Sequence, residues 1–116
     1  MIDKRLSVCL NTYMVKVKTT LNLNLTRYDQ RLINAMSALG DKTRYKIFKL
    51  ILENKELCVS EIADRLNISV PAVSQHFRTF ELIGLVDKDR IGQKICYKLK
   101  LDDPIVTMLV NNVRQS

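Results

Sequence analysis

The sequence predicts an α+β fold that is mainly helical, with about five helices and one β-hairpin arranged as a winged helix-turn-helix. Three observations support this prediction. Apolar residues recur at helical spacing over most of residues 26–84 and again after Pro104. Two of these helical patterns are separated by only a few residues around Asn67. Two strand-like runs with a glycine between them follow Gly84.

Residues 1–25 differ in pattern from the rest of the chain and are interpreted as an N-terminal basic arm. Residues 1–27 contain five basic residues and one acidic residue. The second half of the arm alternates apolar and polar residues, which favours an extended strand, whereas the first half suits a short amphipathic helix equally well. Residues 26–116 are predicted to form one folded domain, the winged helix-turn-helix.

The first two helices of this domain are predicted to be its scaffold. Thr26 and Asp29 have the spacing of a capping box, and Gly40 ends the first helix. Asp41 is expected to cap the second helix. The residues of the second helix that are expected to face the core are Tyr45, Ile47, Phe48, Ile51 and Leu52.

The next two helices are predicted to form the helix-turn-helix. Ser60 is expected to cap the shorter one, and Asn67 tolerates the left-handed conformation that the turn needs. Ser69 is expected to cap the longer helix, Pro71 falls in its first turn, and Gly84 ends it. A β-hairpin follows, with predicted strands at residues 85–89 and 94–101 and a loop at residues 90–93.

The longer helix of the helix-turn-helix presents a polar face of the kind that enters the major groove of DNA. On a helical wheel, Val73, Phe77 and Phe80 share one side, and Ser74, Gln75 and Arg78 lie opposite. Basic residues also gather around the hairpin loop, where they suit contacts with phosphates. The predicted DNA-binding residues are Ser69, Val70, Ala72, Ser74, Gln75, Arg78, Lys88, Arg90, Gln93 and Lys94.

The charge of the chain agrees with a polyanionic partner. Lys and Arg outnumber Asp and Glu by 19 to 12, which gives a net charge of +7 and an isoelectric point near 9.5. No stretch is apolar enough to span a membrane, and no export signal is visible, so a cytoplasmic location without a membrane partner is expected.

The last helix, opened by Asp102, Asp103 and Pro104, is more apolar than a single core-facing stripe requires. This surplus predicts a contact between two subunits, formed with the first helix of the domain. The residues predicted at the dimer interface are Leu32, Met36, Ile105, Met108 and Leu109.

The inventory of reactive side chains argues against an enzyme. The chain has one histidine, His76, which is interpreted as structural, and no paired acid and base or glycine-rich phosphate loop. Its three cysteines, Cys9, Cys58 and Cys96, are an odd number without a Cys-x-x-Cys pair, so free thiols are expected. Cys96 is interpreted as a small filler, with a redox switch as the alternative.

Residues 56–99, ELCVSEIADRLNISVPAVSQHFRTFELIGLVDKDRIGQKICYKL, closely resemble the ArsR/SmtB family of repressors, and the resemblance extends upstream through ALGDKTRYKIFKLIL. It implies a homodimer, paired through its first and last helices, that represses by occupying a double-stranded DNA operator. It also implies that an effector commonly releases the DNA, although no effector is identified here. The alternative is a winged-helix module that binds protein and not DNA.

The chain departs from the metal-sensing members of this family. Where they carry a Cys-x-Cys pair, this sequence has Cys58 and Ser60, and its last helix lacks the histidine of their second site. No metal site and no cofactor are therefore expected. Val70 stands where many members carry a polar side chain that reads a base, and its apolar side chain suits a thymine methyl group.

Overall fold

The computed structural model describes residues 23–54 and 57–114. The predictions for the basic arm at residues 1–22 lie outside this part of the chain. Residues 23–26 have no regular secondary structure, and the side chains of Leu23 and Leu25 are exposed.

The described residues form five helices and one antiparallel hairpin, which confirms the predicted fold class. In chain order the elements are α1 (Arg27–Leu39), α2 (Lys42–Glu53), α3 (Val59–Leu66), α4 (Val70–Leu82), β1 (Val86–Ile91), β2 (Lys94–Leu99) and α5 (Pro104–Arg114). Helices α3 and α4 are the helix-turn-helix, and the hairpin β1–β2 is the wing.

Most helix ends lie where short polar side chains predict them. The Thr26 hydroxyl accepts a hydrogen bond from the Asp29 N–H at 3.0 Å, and the Asp29 carboxylate accepts one from the Thr26 N–H at 2.9 Å. This is the predicted capping box, which satisfies two N–H groups that the helix itself cannot pair. The Asp41 carboxylate accepts from the Arg44 N–H and caps α2 in the same way.

The start of α3 differs from the prediction that Ser60 caps it. Cys58 is the N-cap residue, and its N–H donates to the Glu61 carboxylate at 2.8 Å. Glu61 occupies the third helical position, where a carboxylate reaches back to the cap, and this contact fixes the helix start. Ser60 therefore lies inside the first turn of α3 and is exposed.

The turn between α3 and α4 follows the sequence closely. Asn67 adopts the left-handed conformation, with φ of 56°. The Ser69 hydroxyl accepts a hydrogen bond from the Ala72 N–H at 3.2 Å, and Pro71 lies in the first turn of α4. Gly84, with φ of +82°, follows the end of α4 and redirects the chain into the wing.

The wing has a tighter turn than predicted. Arg90 pairs with Ile95 and Ile91 pairs with Lys94, so the strands continue through two residues of the predicted loop. Only Gly92 and Gln93 remain between the strands, and Gly92 has a positive φ of +64°. A glycine at the first position of a two-residue turn supplies this conformation without strain.

The segment that enters α3 lies beside the second strand of the wing. Cys58 forms an isolated antiparallel bridge with Cys96, and the two side chains form a disulfide. The prediction of free thiols is therefore wrong for this pair. The two cysteines are 38 residues apart, and only the pairing of their backbones brings their side chains together.

The core lies between the helices and the inner face of the wing. Phe48, Phe77 and Phe80 are fully buried and meet edge to face, and the ring of Tyr97 stacks on Phe77 at a centroid distance of 4.2 Å. This stack attaches the wing to α4. Burial raises the pKa of the Tyr97 hydroxyl, so the ring remains neutral in this position.

A salt bridge joins α1 to the start of α5. The Arg31 guanidinium donates to both carboxylate oxygens of Asp103, at 2.6 and 3.3 Å. The Asp103 carboxylate also accepts a hydrogen bond from the Ile105 N–H at 2.9 Å. Of the two aspartates predicted at the start of this helix, Asp103 is therefore the one that caps α5. The Arg31 hydrogen bond is the largest cause that lowers the pKa of Asp103 below its usual value.

Candidate nucleic-acid interface

Helix α4 divides into a buried face and an exposed face, as its sequence predicts. Val73, Phe77 and Phe80 have no exposed surface. The predicted DNA-binding residues on this helix and at its cap are exposed at Ser69, Val70, Ser74, Gln75 and Arg78, and partly buried at Ala72. A helix that is held to the core by three apolar residues offers the rest of its surface to a partner without rearrangement.

The predicted DNA-binding residues of the wing, Lys88, Arg90, Gln93 and Lys94, are all exposed. Two other lysines of this region form salt bridges. Lys98 contacts Asp89 at 3.4 Å, and Lys100 contacts Asp87 at 3.5 Å. Among the described residues, no salt bridge involves Lys88, Arg90 or Lys94. Asp87 and Asp89 of β1 are thus each paired with a lysine, and the cationic side chains of Arg90 and Lys94 lie beside the turn.

One groove brings the start of α4 and the wing together. It has a volume of about 220 Å³, and its lining includes Val70 and Ser74 from the helix and Gln93 and Lys94 from the wing. The other predicted DNA-binding residues lie outside its lining, on the same exposed helix face or along β1. Cationic and hydrogen-bonding groups therefore meet short and apolar side chains at one surface.

Ser60 also lines this groove, although the sequence predicted it only as a helix cap. Its hydroxyl lies in the first turn of α3, close to the two α4 residues of the groove. The signal that would have placed it correctly is Glu61, because a carboxylate at the third helical position marks the residue three before it, here Cys58, as the cap.

His76 lies on the flank of α4 and is partly buried, which agrees with its interpretation as a structural residue. It contributes to the electrostatic environment of Asp41. The pKa of Asp41 is lowered chiefly by the hydrogen bond from the Arg44 N–H, and the nearby Arg44 and His76 side chains lower it further.

The apolar surface available to a second subunit lies mainly on α1. Tyr28, Ile33 and Met36 are 52%, 46% and 57% exposed. A groove of about 310 Å³ runs from Met36 towards Met108 on α5. The predicted interface residues Met36, Met108 and Leu109 line this groove, and the predicted residue Leu32 is partly buried.

The predicted surplus on α5 is largely absent from the structure. Ile105 and Leu109 are 1% and 6% exposed and belong to the core of the subunit. Val106, Val110 and Val113 are buried as well. Most of the wide apolar stripe of this helix is therefore buried within one subunit.

In the two described segments, no group of three or more histidine, cysteine or acidic side chains is placed to hold a metal ion. Within the same segments, no helix is long and apolar enough to cross a membrane.

Comparisons with known proteins extend these observations. The arsR family of bacterial regulatory proteins matches residues 41–88, which run from the cap of α2 into β1. The transcriptional repressor SdpR of Bacillus subtilis is 35% identical over 79 residues, covering 66% of this chain and 87% of SdpR.

A second relative and one solved structure agree with this match. The cadmium resistance transcriptional regulatory protein CadC of Listeria innocua is 34% identical over 62 residues, which cover 53% of this chain and about half, 52%, of CadC. The solved structure of HlyU from Vibrio cholerae superposes with a TM-score of 0.68 at 25% identity, covering 78% of this chain and 96% of HlyU. Together with the helix-turn-helix and wing described above, these matches show that the chain belongs to the arsR family of bacterial regulatory proteins.

Proposed function

We propose that the chain is a sequence-specific, DNA-binding transcriptional repressor that acts as a homodimer on a double-stranded operator. The observation that carries this proposal is the common groove of α4 and the wing, in which Val70 and Ser74 meet Gln93 and Lys94. A helix at this position and a cationic hairpin beside it match the two kinds of contact that DNA offers, base edges and phosphates.

Helix α4 is the proposed reader of bases. The short side chain of Ser74 allows the helix to approach the floor of the major groove closely. Gln75 is able to pair with the edge of an adenine, and Arg78 with guanine or a phosphate. Val70, which is 45% exposed, offers an apolar contact to a thymine methyl group.

The wing is proposed to contact the phosphates of the DNA backbone. Arg90 and Lys94 present their charges beside the two-residue turn, and Lys88 lies further along β1. All three are exposed and can reach phosphates beside the major groove. Such contacts position the protein and do not distinguish sequences. The net charge of +7 adds a long-range attraction to DNA that salt should weaken.

The homodimer is proposed from the exposed apolar residues of α1. Tyr28, Ile33 and Met36 are each about half exposed, and an apolar surface of this kind is covered in many proteins by a second copy. A symmetric pair would present two copies of α4 to successive major grooves, which lie about 34 Å apart on one face of DNA.

The relatives support a regulatory role and leave the effector open. SdpR is a transcriptional repressor, and CadC is a regulatory protein of cadmium resistance. We propose that this chain acts in the cytoplasm and is not an enzyme, because it belongs to a family of regulatory proteins and its single histidine flanks the core.

Selection of bound sequences from random duplex DNA tests this function. The expected result is an enriched, two-fold symmetric sequence whose affinity for the chain falls steeply as salt rises. Binding of random and selected DNA with equal affinity would contradict sequence-specific reading. If no duplex binds even at low salt, the winged-helix domain serves protein interaction instead.

A further inference from the structure

The disulfide between Cys58 and Cys96 lies between the helix-turn-helix and the wing. Cys58 is the N-cap residue of α3, and Cys96 is in the middle of β2. Both residues are buried, at 5% and 4% exposure, and the antiparallel bridge between them keeps their side chains on neighbouring positions.

This pair adjoins the proposed DNA interface. Cys58 itself lines the groove that contains Ser60, Val70 and Lys94. Ser60 is two residues after Cys58, and Lys94 is two residues before Cys96. A second hollow, of about 500 Å³, is lined by both cysteines and by Lys94 and Lys98, so the pair borders the surface on this side as well.

We propose that Cys58 and Cys96 are a reversible redox pair that sets the position of the wing relative to the helix-turn-helix, and that the disulfide form binds DNA more tightly. Control of DNA binding by this pair presupposes the DNA binding proposed above. In the disulfide form, the residues from α4 and the wing already line one groove. A wing fixed in that position loses less conformational freedom when DNA binds.

Loss of the bond changes the contact between these elements. Two thiol sulfurs that are not bonded must keep a van der Waals separation, which is well beyond the length of a covalent bond. The Cys58 N–H is held by Glu61, and Tyr97, next to Cys96, is held by its stack on Phe77. Reduction is therefore expected to increase the distance between α3 and β2, and Lys94 belongs to β2.

The chemistry requires a two-electron oxidant, such as hydrogen peroxide, and a dithiol reductant. One thiolate attacks a peroxide oxygen, which breaks the O–O bond and gives a sulfenic acid and water after proton transfer. The second thiolate attacks that sulfur, and the hydroxyl leaves as water. Two thiols and one peroxide thus yield one disulfide and two waters. A dithiol reverses the reaction by exchange and is itself oxidised to a disulfide.

The first measurement follows the bond without DNA. In a Cys9→Ser chain, Cys58 and Cys96 are the only remaining cysteines. Stoichiometric peroxide should lower the mass of this chain by two hydrogen atoms, and dithiothreitol should restore it. Cys96→Ser and Cys96→Ala chains serve as controls that cannot form the bond. Failure of the Cys9→Ser chain to form it within one subunit would overturn the proposed pair.

The second measurement compares DNA affinity in the two redox states. The probes are the duplex selected with the natural chain and a random duplex, and binding is followed by fluorescence anisotropy. The oxidised Cys9→Ser chain should bind the selected duplex about fivefold or more tightly than the reduced chain. The Cys96 variants should bind like the reduced chain whether or not peroxide is present, with helical content unchanged by circular dichroism.

Each remaining outcome decides between the two proposals. Equal affinity in the two states, or tighter binding by the reduced chain, would overturn the control of DNA binding by this pair even where the bond forms. A peroxide response that survives in the Cys96 variants would do the same. Absence of DNA binding in both states would contradict the proposed function, and the mass measurement would still report whether the bond forms.

Discussion

Gln75 and Lys94 occupy different parts of the proposed DNA interface and should contribute differently to it. Gln75 is exposed on α4, the proposed reader of base edges, and Lys94 lies beside the turn of the wing, which is proposed to contact phosphates. Gln75→Ala is expected to weaken binding mainly to the selected duplex, by about 1–3 kcal/mol. Lys94→Ala should weaken selected and random DNA about equally and reduce the salt dependence. Titrations of both duplexes check this, and equal losses on both for Gln75→Ala would refute its role in reading bases.

Asp103 combines a salt bridge with a helix cap, and its charge should stabilise the fold at neutral pH. Its pKa is lowered, chiefly by the hydrogen bond from Arg31, so this stabilisation is present above the unfolded pKa of about 3.9 and is lost as the pH falls through the folded pKa. Asp103→Asn keeps a capping side chain and removes the charge. It should lower the free energy of unfolding by about 1–2 kcal/mol at pH 7.

Urea denaturation at two pH values separates the charge of Asp103 from its capping role. The difference between the natural chain and Asp103→Asn should shrink as the pH falls through the lowered folded pKa of Asp103, because the natural carboxyl then becomes protonated as well. Asp103→Ala is the matched control, because it also removes the cap and should cost more at both pH values. A difference for Asp103→Asn that is independent of pH would show that the charge is not its source.

Zinc and cadmium are expected not to release the DNA. Ser60 stands where metal-sensing relatives carry a second cysteine, and the sulfur of Cys58 is already bonded to Cys96 in this structure. Even after reduction, two thiolates fall short of the three or four strong ligands that these metals need. Titration of each metal into the reduced chain on its selected duplex checks this. Release at submicromolar free metal that Cys58→Ser abolishes would contradict it.

Some properties of single residues are predictable from the sequence, and others depend on contacts between distant segments. The exposed residues of α4 are predicted correctly because helical spacing alone decides which side faces the core. The pairing of Cys58 with Cys96 depends on a backbone bridge between distant segments, which no local pattern reveals. Whether Ile105 and Leu109 belong to the core or to a subunit interface likewise depends on how α5 packs within one subunit, which no local pattern reveals.

At the scale of elements, helix ends are predictable where one side chain bonds one nearby N–H, as at Thr26, Asp41 and Ser69. The start of α3 was misplaced because Ser60 and Cys58 both precede an apolar run, and the capping contact of Glu61 decides between them. The wing turn is shorter than the predicted loop at residues 90–93, because cross-strand pairing includes Arg90 and Ile91.

The turn between α3 and α4 depends on the left-handed conformation of Asn67, which has a φ of 56°. Asn67→Ala should lower the free energy of unfolding by about 1 kcal/mol, because an alanine Cβ is strained in this conformation. Asn67→Gly is the matched control and should cost less, since glycine adopts positive φ readily. Chemical denaturation measures both variants, and equal costs would show that backbone strain does not set the preference for asparagine.

At the scale of the whole molecule, the predicted dimer surface combines α1 and α5, and its exposed apolar residues lie mainly on α1. Substitution of Leu109 by a charged residue would disrupt the core, because this side chain is only 6% exposed, and would not test dimerisation. Met36 is 57% exposed and lines the groove between α1 and α5, so it is the better position. The salt bridge between Arg31 and Asp103 holds these two helices together within each subunit.

The natural chain should sediment as a dimer at micromolar concentration, and Met36→Glu should shift it to monomers. A carboxylate buried in an apolar interface loses its hydration without gaining a partner, which costs several kcal/mol in two symmetric copies. Leu82→Glu is the matched control, because Leu82 is 80% exposed at the end of α4 and distant in sequence from both interface helices. It should leave the dimer intact. Unchanged helical content should accompany both substitutions, since neither side chain belongs to the core. A natural chain that sediments as a monomer, or a Met36→Glu chain that remains a dimer, would place the subunit contact elsewhere than on the exposed face of α1.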